Sequence, residues 1–334
     1  MGFLQIIFNF YDNRVVKYMM TESDYKNRCM TVVVPVYNRA HLVERSLDSI
    51  YAQTYRPIAL IVVDNGSSDS TLPVVRDWAG RHEEDGFSVR ILSDTRRGAA
   101  YARQTGLEHT QTGKVMFFDS DDVLRPGAVA DVMAEWDLHP DCDIVAWPVT
   151  VHHPHCPVTT HAITGNLLER HLVHTLFRTQ GYAVKTSWIR ECGGWKGEFP
   201  VWNDLETGLR LMLRKPEVLP LREPLADVYP QKESITGTDY SSKAGQWENT
   251  LDGMDRAISL GSHKSSGRLH RIVSYRRAIL AAAYAKEGHP DLACPLYRRA
   301  LSEVPAPKRP LLRFAYHWTR LGMRGAFSIV GKLL

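Results

Sequence analysis

The clearest signal along the chain is a series of short apolar runs that do not alternate with polar residues. Residues 31–36 read TVVVPV, residues 58–63 read IALIVV, residues 89–92 form a shorter run, and residues 114–118 read KVMFF. Between them lie segments of helical length and pattern at 40–52, 71–81 and 99–108. Strands that are apolar on both faces and alternate with helices predict a parallel sheet covered on both sides. The first half of the chain therefore reads as a doubly wound α/β unit. A second segment, from about 143 to 235, predicts a strand at 144–151 (IVAWPVTV), a His-rich loop, a helix around 167–176 and a strand at 181–185 (GYAVK). A turn at Gly193-Gly194-Trp195 then precedes a helix that holds Asp204 and runs to Leu213. Beyond about Tyr240 the pattern is all helical, and residues 1–29 are poorly periodic and read as an appendage.

Open α/β sheets bind ligands at the carboxyl ends of their strands, and three such ends carry polar clusters. Asp119-Ser120-Asp121-Asp122 follows KVMFF directly. Alternate carboxylates at a strand end can face one point and hold a hard cation, Mn²⁺ or Mg²⁺, with substrate phosphates as further ligands. The same residues can instead cap a helix beginning near Pro126. Asp64, ending the second run, can accept an N–H from a base or bind ribose hydroxyls, or close an Asx turn ahead of the next helix. At the end of the first run, Tyr37 can stack on a base and Arg39 can neutralise phosphate, or the segment can be an ordinary turn.

Together these pieces resemble the family 2 glycosyltransferases of GT-A fold. The matching segments are VVVPVYNRAHLVERSLDSI, IALIVVDNGSSDST, GAAYARQTGL and KVMFFDSDDVLRPGAV, in the family's order and spacing, followed by GGW, FPVWNDLETGLRL and YPQKESITG. The resemblance covers about residues 30–240 and implies a GT-A doubly wound mixed sheet with a Rossmann-like nucleotide-binding half. It divides the chain into an appendage (1–29), a transferase domain (30–240, with a donor half 30–125 and an acceptor half 126–240) and a basic helical region (241–334). By position, it implies that Asp64 recognises the base in a pocket walled by Pro35 and Tyr37. Asp119 and Asp121 form the DxD pair, with Asp121 the direct metal ligand and Asp119 contacting ribose or metal. Arg39, Arg97, Arg103 and Ser120 join the donor-binding set, and Asp204 falls where the family places its catalytic base. The usual Glu-Asp pair reads Asn203-Asp204 here, and Arg96-Arg97-Gly98 stands where relatives often carry Asn. Gln231 and Lys232 stand where many have a His, so Lys232 is either a diphosphate counter-charge or a solvated lysine.

The implied reaction is a single displacement with inversion from a nucleotide-diphosphate sugar, with a UDP-sugar favoured, to an acceptor hydroxyl of a carbohydrate or lipid-linked precursor in polysaccharide or glycolipid assembly. A carboxylate must take the proton of the attacking hydroxyl, and a cation and basic groups must stabilise the departing diphosphate. Two rival readings are a nucleotidyltransferase on a similar sheet and a catalytically silent scaffold. The first is disfavoured by Asp204 and the PVYN piece, and the second would show no metal-dependent nucleotide-sugar hydrolysis.

Charge and cysteine usage add to this picture. From Lys264 onward fourteen basic residues face three acidic ones, so this segment carries +11 and the remainder −7 within a net +4. Such asymmetry points to an acidic partner. The final RPLLRFAYHWTRLGMRGAFSIVGKLL, which interleaves basic and aromatic residues, suits an anionic membrane surface, or closes the fold with its apolar face buried. No base-reading motif supports nucleic acid. Within it, residues 280–305 carry a single tetratricopeptide-like pattern, Leu280, Ala281, Tyr284, Gly288, Ala293, Tyr297, Ala300 and Pro305, read as one docked hairpin. Five scattered cysteines without a CxxC pair suit a reducing compartment. The start MGFLQIIFNF lacks a basic region and a cleavage site, and no apolar run approaches the roughly 20 residues of a membrane span. The expected location is cytoplasmic, peripheral at the inner membrane face. His152, His153, His155, Cys156 and His161 match no zinc spacing and read as an acceptor-site loop or plain surface.

Overall fold

The computed structural model describes residues 21–153, 157–231, 239–261, 265–323 and 325–326. Most of the expected appendage (1–20), His155, Cys156, Lys232 and the last eight positions lie outside the described residues. The first half runs α1 (Glu22–Arg28), β1 (Met30–Val36), α2 (Val43–Tyr51), β2 (Ile58–Asp64), α3 (Thr71–His82), β3 (Phe87–Ser93), α4 (Ala99–His109) and β4 (Lys114–Phe117). Next come β5 (Val123–Leu124), α5 (Ala128–Leu138), β6 (Ile144–Ala146), β7 (Val149–Val151), β8 (Thr159–Thr160), α6 (Leu167–His174) and β9 (Tyr182–Lys185). The chain continues through α7 (Thr186–Glu191), α8 (Asn203–Leu213), β10 (Val218–Pro220) and β11 (Ala226–Val228), and then α9 (Ala244–Leu260), α10 (Ser266–Lys286), α11 (Pro290–Glu303) and α12 (Arg309–Arg320).

Among the described residues the main sheet has the order β10-β6-β9-β4-β1-β2-β3, and a smaller one has the order β5-β11-β7-β8. All strands of the main sheet run parallel except β9, which is antiparallel to both β4 and β6. The lack of alternation in the first run has a direct cause: all seven residues of β1 are buried. Val32 and Val34 enter one core with Leu47, Trp78, Val132 and Trp136, while Val33 enters the other with Phe117, Leu205 and Leu209. That second core continues without a break into Trp247, Leu251, Ile272 and Tyr284 of α9 and α10. The C-terminal helices therefore share their apolar core with α8.

The run 144–151, expected as one strand, is two. Trp147-Pro148 separates β6, in the main sheet, from β7, in the smaller one. Pro148 cannot donate a ladder hydrogen bond, and Trp147 spends its backbone N–H on the Gly181 carbonyl. Nor does the acidic cluster cap a helix near Pro126. The following helix starts after Gly127 with no side-chain cap, and β5 lies between. In the C-terminal region α10 and α11 form a hairpin that turns at Gly288 (φ +89°). Tyr275 and Ala278 of α10, Ala300 of α11, and Leu312 and Ala315 of α12 make a third small core. Thus α12 turns its apolar stripe inward, and Arg313 and Phe314 remain exposed.

One close approach positions the site. A Cβ on Gly106 of α4 would stand 2.3 Å from Cγ1 of Val33, so the helix lies on β1 only because this residue has no side chain. Gly106→Ala is expected to destabilise the fold by about 1–3 kcal/mol through overpacking, and Val33→Ala in the same chain is expected to recover part of the loss. Denaturant midpoints of the two single variants and the double variant test this; strict additivity would show that the contact is not the cause.

Candidate active site

The parallel register sets the carboxyl ends of β1, β2 and β4 side by side, with Val36 opposite Asp64 and Val33 opposite Phe117. Because β9 runs the other way, the residues that precede it arrive at the same edge. Gln180 accordingly donates from Nε2 to Asp119 Oδ2 at 2.6 Å and to Asp122 Oδ2 at 2.5 Å. From the helix side, Arg103 donates to Asp119 Oδ1 at 2.5 Å and to Asn203 Oδ1 at 2.9 Å. Its guanidinium carbon lies 4.9 Å over the Trp195 ring, and the residue is 4% exposed. Both oxygens of Asp119 are thus engaged, and the backbone N–H of Tyr229 donates to the other oxygen of Asp122 at 3.0 Å.

Asp121 is held differently. Its nearest cation is Arg39, with Nε 3.6 Å from Oδ2, and its backbone carbonyl accepts from Arg45. Arg45 also lies over the Tyr229 ring, 4.6 Å from its centroid. Burial, and then the charge of Asp119, push the Asp121 carboxyl above its usual range. Burial with Asp119 and Asp121 raises Asp122 further. Three carboxylates are therefore packed at one strand end against their own repulsion. A cation relieves that arrangement, and Asp121 has the oxygens to receive one. Among the described residues no group of three or more His, Cys, Asp or Glu side chains is placed to hold a metal ion by itself.

Across the cleft, Asp204 sits in the first turn of α8, after Trp202 in the left-handed region (φ +48°). Its carboxylate accepts from the Leu205 N–H at 2.8 Å. Burial raises its pKa, and Arg178 and Arg103 oppose that rise. Arg276, delivered from α10, donates to the Leu172 carbonyl at 2.6 Å and lies 5.4 Å over the Trp202 ring. Burial lowers its pKa to about 10, against the upward pull of Asp204 and Tyr240.

Of the other residues named from sequence, Pro35 is buried in β1 and Tyr37 stands at the rim, 43% exposed. Asp64 is 5% exposed and accepts from the Ser67 N–H at 3.3 Å on each oxygen. The Asx turn is therefore present, while α3 begins after Ser70 with no side-chain cap. Ser120 is buried between the acidic residues. Arg97 is not drawn in; it is exposed and makes no hydrogen bond or ion pair among the described residues. Its neighbour Arg96 is committed to Asp94 at 2.8 Å and to Thr105. In the His-rich loop, His152 pairs with Asp227 at 2.7 Å and stacks on Tyr229, and His161 stacks on His174.

Gln180, Arg178, Arg276 and His171 are contributions that motif reading missed. His171 is wholly buried. It bonds the Leu205 carbonyl at 2.8 Å through Nε2 and accepts the Phe177 N–H at 3.1 Å on Nδ1. It thereby ties α6, the 175–181 loop and α8 into one unit. Gly208 leaves room for its ring, since a Cβ there would lie 2.5 Å from Nε2. The one available signal was the antiparallel strand, which predicts that the residues before it reach the ligand edge.

Residues 31–185 match the family described as glycosyl transferase family 2. Over 96 residues the chain is 36% identical to glycosyltransferase GlyA of Streptococcus pneumoniae, covering 29% of this chain and 13% of that protein. Over 104 residues it is 31% identical to the GalNAc(5)-diNAcBac-PP-undecaprenol beta-1,3-glucosyltransferase of Campylobacter jejuni, covering 31% and 33%. The chain thus spans a third or less of the length of these curated relatives. Among solved structures, S. aureus TarS 1–349 in complex with UDP-GlcNAc superposes with a TM-score of 0.69 at 17% identity, covering 91% of this chain and 90% of that one. Mannosyltransferase PcManGT from Pyrobaculum calidifontis, in complex with GDP-Man and Mn²⁺, superposes at 0.54 with 20% identity, covering 96% and 92%. At these identities the likeness is one of fold, an α/β mixed sheet of GT-A type with a helical C-terminal region.

Two outcomes follow from the geometry. Arg103→Met leaves Asp119 and Asn203 without a shared donor and is expected to cost about 2–3 kcal/mol, with Arg103→Lys recovering only part because an ammonium cannot fork between them. Unchanged denaturant midpoints would remove Arg103 from this role. Burial also depresses the His171 pKa to about 3, below the unfolded value near 6.5. Above that value the ring is neutral in both states. As pH falls below it only the unfolded chain takes the proton, so stability declines by up to about 1.4 kcal/mol per pH unit. Denaturant melts between pH 7 and 4 are expected to show that slope, and its persistence in His171→Gln would assign it elsewhere.

Proposed function

We propose that this chain, a glycosyl transferase family 2 protein through its residues 31–185, transfers a sugar from a nucleotide-diphosphate donor, favouring a UDP-sugar, to an acceptor hydroxyl with inversion. The observation that carries this is Arg103, which joins the DxD carboxylate of Asp119 to the wall that bears Asp204. One buried guanidinium thus sets the donor-side acid and the acceptor-side base in a fixed relation. The complexes of TarS with UDP-GlcNAc and of PcManGT with GDP-Man support a nucleotide-sugar donor on this fold.

The roles divide as follows. Asp64 and Tyr37, with Pro35 behind them, receive the nucleoside at the β1 and β2 ends. Arg39 and Arg45 face the diphosphate beside Asp121. Mn²⁺ or Mg²⁺ held by Asp121, with Asp119 behind it, would neutralise charge on the departing diphosphate. Asp204 takes the proton of the attacking hydroxyl. A carboxyl whose pKa is raised is a better proton acceptor than an ordinary carboxylate, and Arg178 and Arg103 keep it ionised enough to act. Inversion follows from a single displacement by a hydroxyl activated on the face opposite the leaving group.

The acceptor is a carbohydrate or lipid-linked precursor in this reading, with residues 30–240 as the transferase domain and 241–334 as a helical region. No helix among the described residues is long and apolar enough to cross a membrane. Exposed Arg313, Phe314, His317 and Arg320 on α12 support a peripheral contact with an anionic lipid surface from the cytoplasmic side.

Asp204→Asn keeps the shape and removes the base, so kcat is expected to fall by about 10²–10⁴, with donor binding retained. Near-normal turnover would remove Asp204 from the role. Thermal shifts with UDP, GDP and dTDP, with and without Mn²⁺, test the donor site; a rise of several degrees with one nucleotide and metal is expected by mass action. No response to any nucleotide would sink the assignment.

A further inference from the structure

The acidic strand end is held from two sides, and one residue joins them. On the first side lies α2. Ser46 donates to the Asp119 carbonyl at 2.9 Å, and Ser49 accepts the Leu124 N–H at 3.0 Å. Arg45, on the same helix, donates to the Asp121 carbonyl. Arg45 and Ser46 each lie about one turn from Ser49, so one side of α2 runs along the loop 119–124. On the second side lies the smaller sheet. Arg125 forks onto Asp227 at 2.7 and 2.9 Å and reaches Thr150 at 3.0 Å, which ties β11 to β7 and to the end of β5. Asp227 also bonds His152 Nε2 at 2.7 Å, so the imidazole is fixed in place.

Tyr229 bridges the two sides. Its half-buried ring stacks on His152, with centroids 4.8 Å apart and planes 8° from parallel. The same ring lies under the Arg45 guanidinium carbon, 4.6 Å from the centroid. Its backbone N–H donates to Asp122 Oδ1 at 3.0 Å. Among the described residues the Tyr229 hydroxyl makes no hydrogen bond, so the ring acts through its face.

Where Arg45 is held decides what Asp121 can bind. Its charge reaches the Asp121 carboxylate, yet it donates to the backbone carbonyl of that residue instead. The closest cation to the carboxylate is Arg39, with Nε at 3.6 Å. An aromatic face attracts a guanidinium, and the ring thereby anchors a side chain that is otherwise exposed. Released from it, Arg45 can pair with the carboxylate oxygens, which are the ones a hard cation needs.

We propose that Tyr229 is a positioning residue for the metal-binding loop: its ring keeps Arg45 on the Asp121 carbonyl and its N–H fixes Asp122, so that the Asp121 carboxylate stays open to a divalent cation. This rests on the reading of Asp121 as the metal ligand and adds what sets its affinity. The control comes from the smaller sheet, far along the chain from the loop it orients.

The test titrates Mn²⁺ alone into the full chain and follows water-proton relaxation, a readout that needs neither donor nor turnover. Asp121→Asn marks the binding that belongs to this loop. Tyr229→Leu is expected to weaken that binding by about ten- to a hundredfold, the usual loss when a group that orients a metal ligand is removed. Tyr229→Phe keeps the ring and is expected to bind as the unaltered chain does. Adding Arg45→Met to Tyr229→Leu is expected to regain part of the loss, because the competing guanidinium is gone; a loop merely loosened by the missing ring would not recover. Where circular dichroism shows Tyr229→Leu unfolded, His152→Asn takes its place, with the same expected loss in direction and the same recovery. Mn²⁺ binding that survives the substitution unchanged, or a loss that Arg45→Met leaves in full, overturns the positioning role. Equal binding by Asp121→Asn and the unaltered chain removes Asp121 as the ligand, so failure of the metal-site reading and failure of the positioning role are separate results.

Discussion

Arg103 holds the two walls of the cleft in one frame. A guanidinium that is 4% exposed needs a counter-charge, since burying an unpaired cation is far costlier than burying a paired one; only its Nε–H has no hydrogen-bond partner among the described residues. Its two amino groups are therefore tied to Asp119 and to Asn203. Asp119 in turn is fixed on its other oxygen by Gln180. The consequence is a division of labour within the acidic cluster. Asp119 and Asp122 are struts whose oxygens are engaged by the protein, and Asp121 is the partly buried carboxylate whose oxygens have no hydrogen-bond donor of their own, with Arg39 at 3.6 Å and Arg45 acting on it from further off. The replacement of the more usual Glu by Asn203 takes on a physical meaning here, because an amide oxygen can accept from Arg103 without adding a fourth acidic charge to a crowded edge.

The second wall depends on the helical region in a way its composition conceals. Trp202, whose backbone starts α8, packs against Trp247 of α9 at 4.7 Å between ring centroids and lies under Arg276 of α10. The core that begins at Val33 passes through Leu205 and Leu209 to Trp247 and Leu251 without interruption. Removing these helices would leave the first turn of α8, and with it Asp204, without its apolar backing. The C-terminal helices are therefore part of what positions Asp204, the proposed base, whatever else their outer surface contacts.

How far the sequence could be read follows from where each signal resides. Strands β1, β2 and β4 were legible because both their faces are buried, so local composition reported them. The strand ends were legible because a carboxylate cluster after such a run has few uses. The 144–151 stretch reads as one strand because Val149–Val151 is as apolar as Ile144–Ala146; Pro148, which cannot donate to a ladder, and Trp147, whose N–H is taken by Gly181, separate the two into different sheets. Gln180 lies in an unremarkable loop segment, and it reaches Asp119 and Asp122 only through the reversed direction of β9. His171 reads as an ordinary helical histidine until Gly208 and Phe177 are brought against it. Arg97 goes the other way: its place beside a motif glycine suggests a phosphate contact, yet it is exposed while Arg96 makes the contacts.

The charge asymmetry has a similar resolution. The segment from Lys264 carries +11, which invites an acidic partner outside the molecule. Much of that charge is answered within it. Arg277, 1% exposed, binds Asp252 at 2.9 Å and Glu303 at 2.8 Å and also pairs with Asp255. Arg299 binds Asp252 at 2.7 Å, and Arg268 binds Glu169 at 3.0 Å. Arg276 is buried against α6 carbonyls. The matching negative charge of the remainder is thus partly the other half of an internal interface, with α9 supplying acids to α10 and α11. Among the described residues the unpaired cations left outward, Lys286, Arg298, Arg313 and Arg320, are fewer than the total implies. Toward an anionic lipid surface these described cations, with Phe314, would each contribute roughly 1 kcal/mol. Net charge by segment therefore overstates such a surface whenever a basic helix packs on an acidic one, and only the exposed remainder bears on binding.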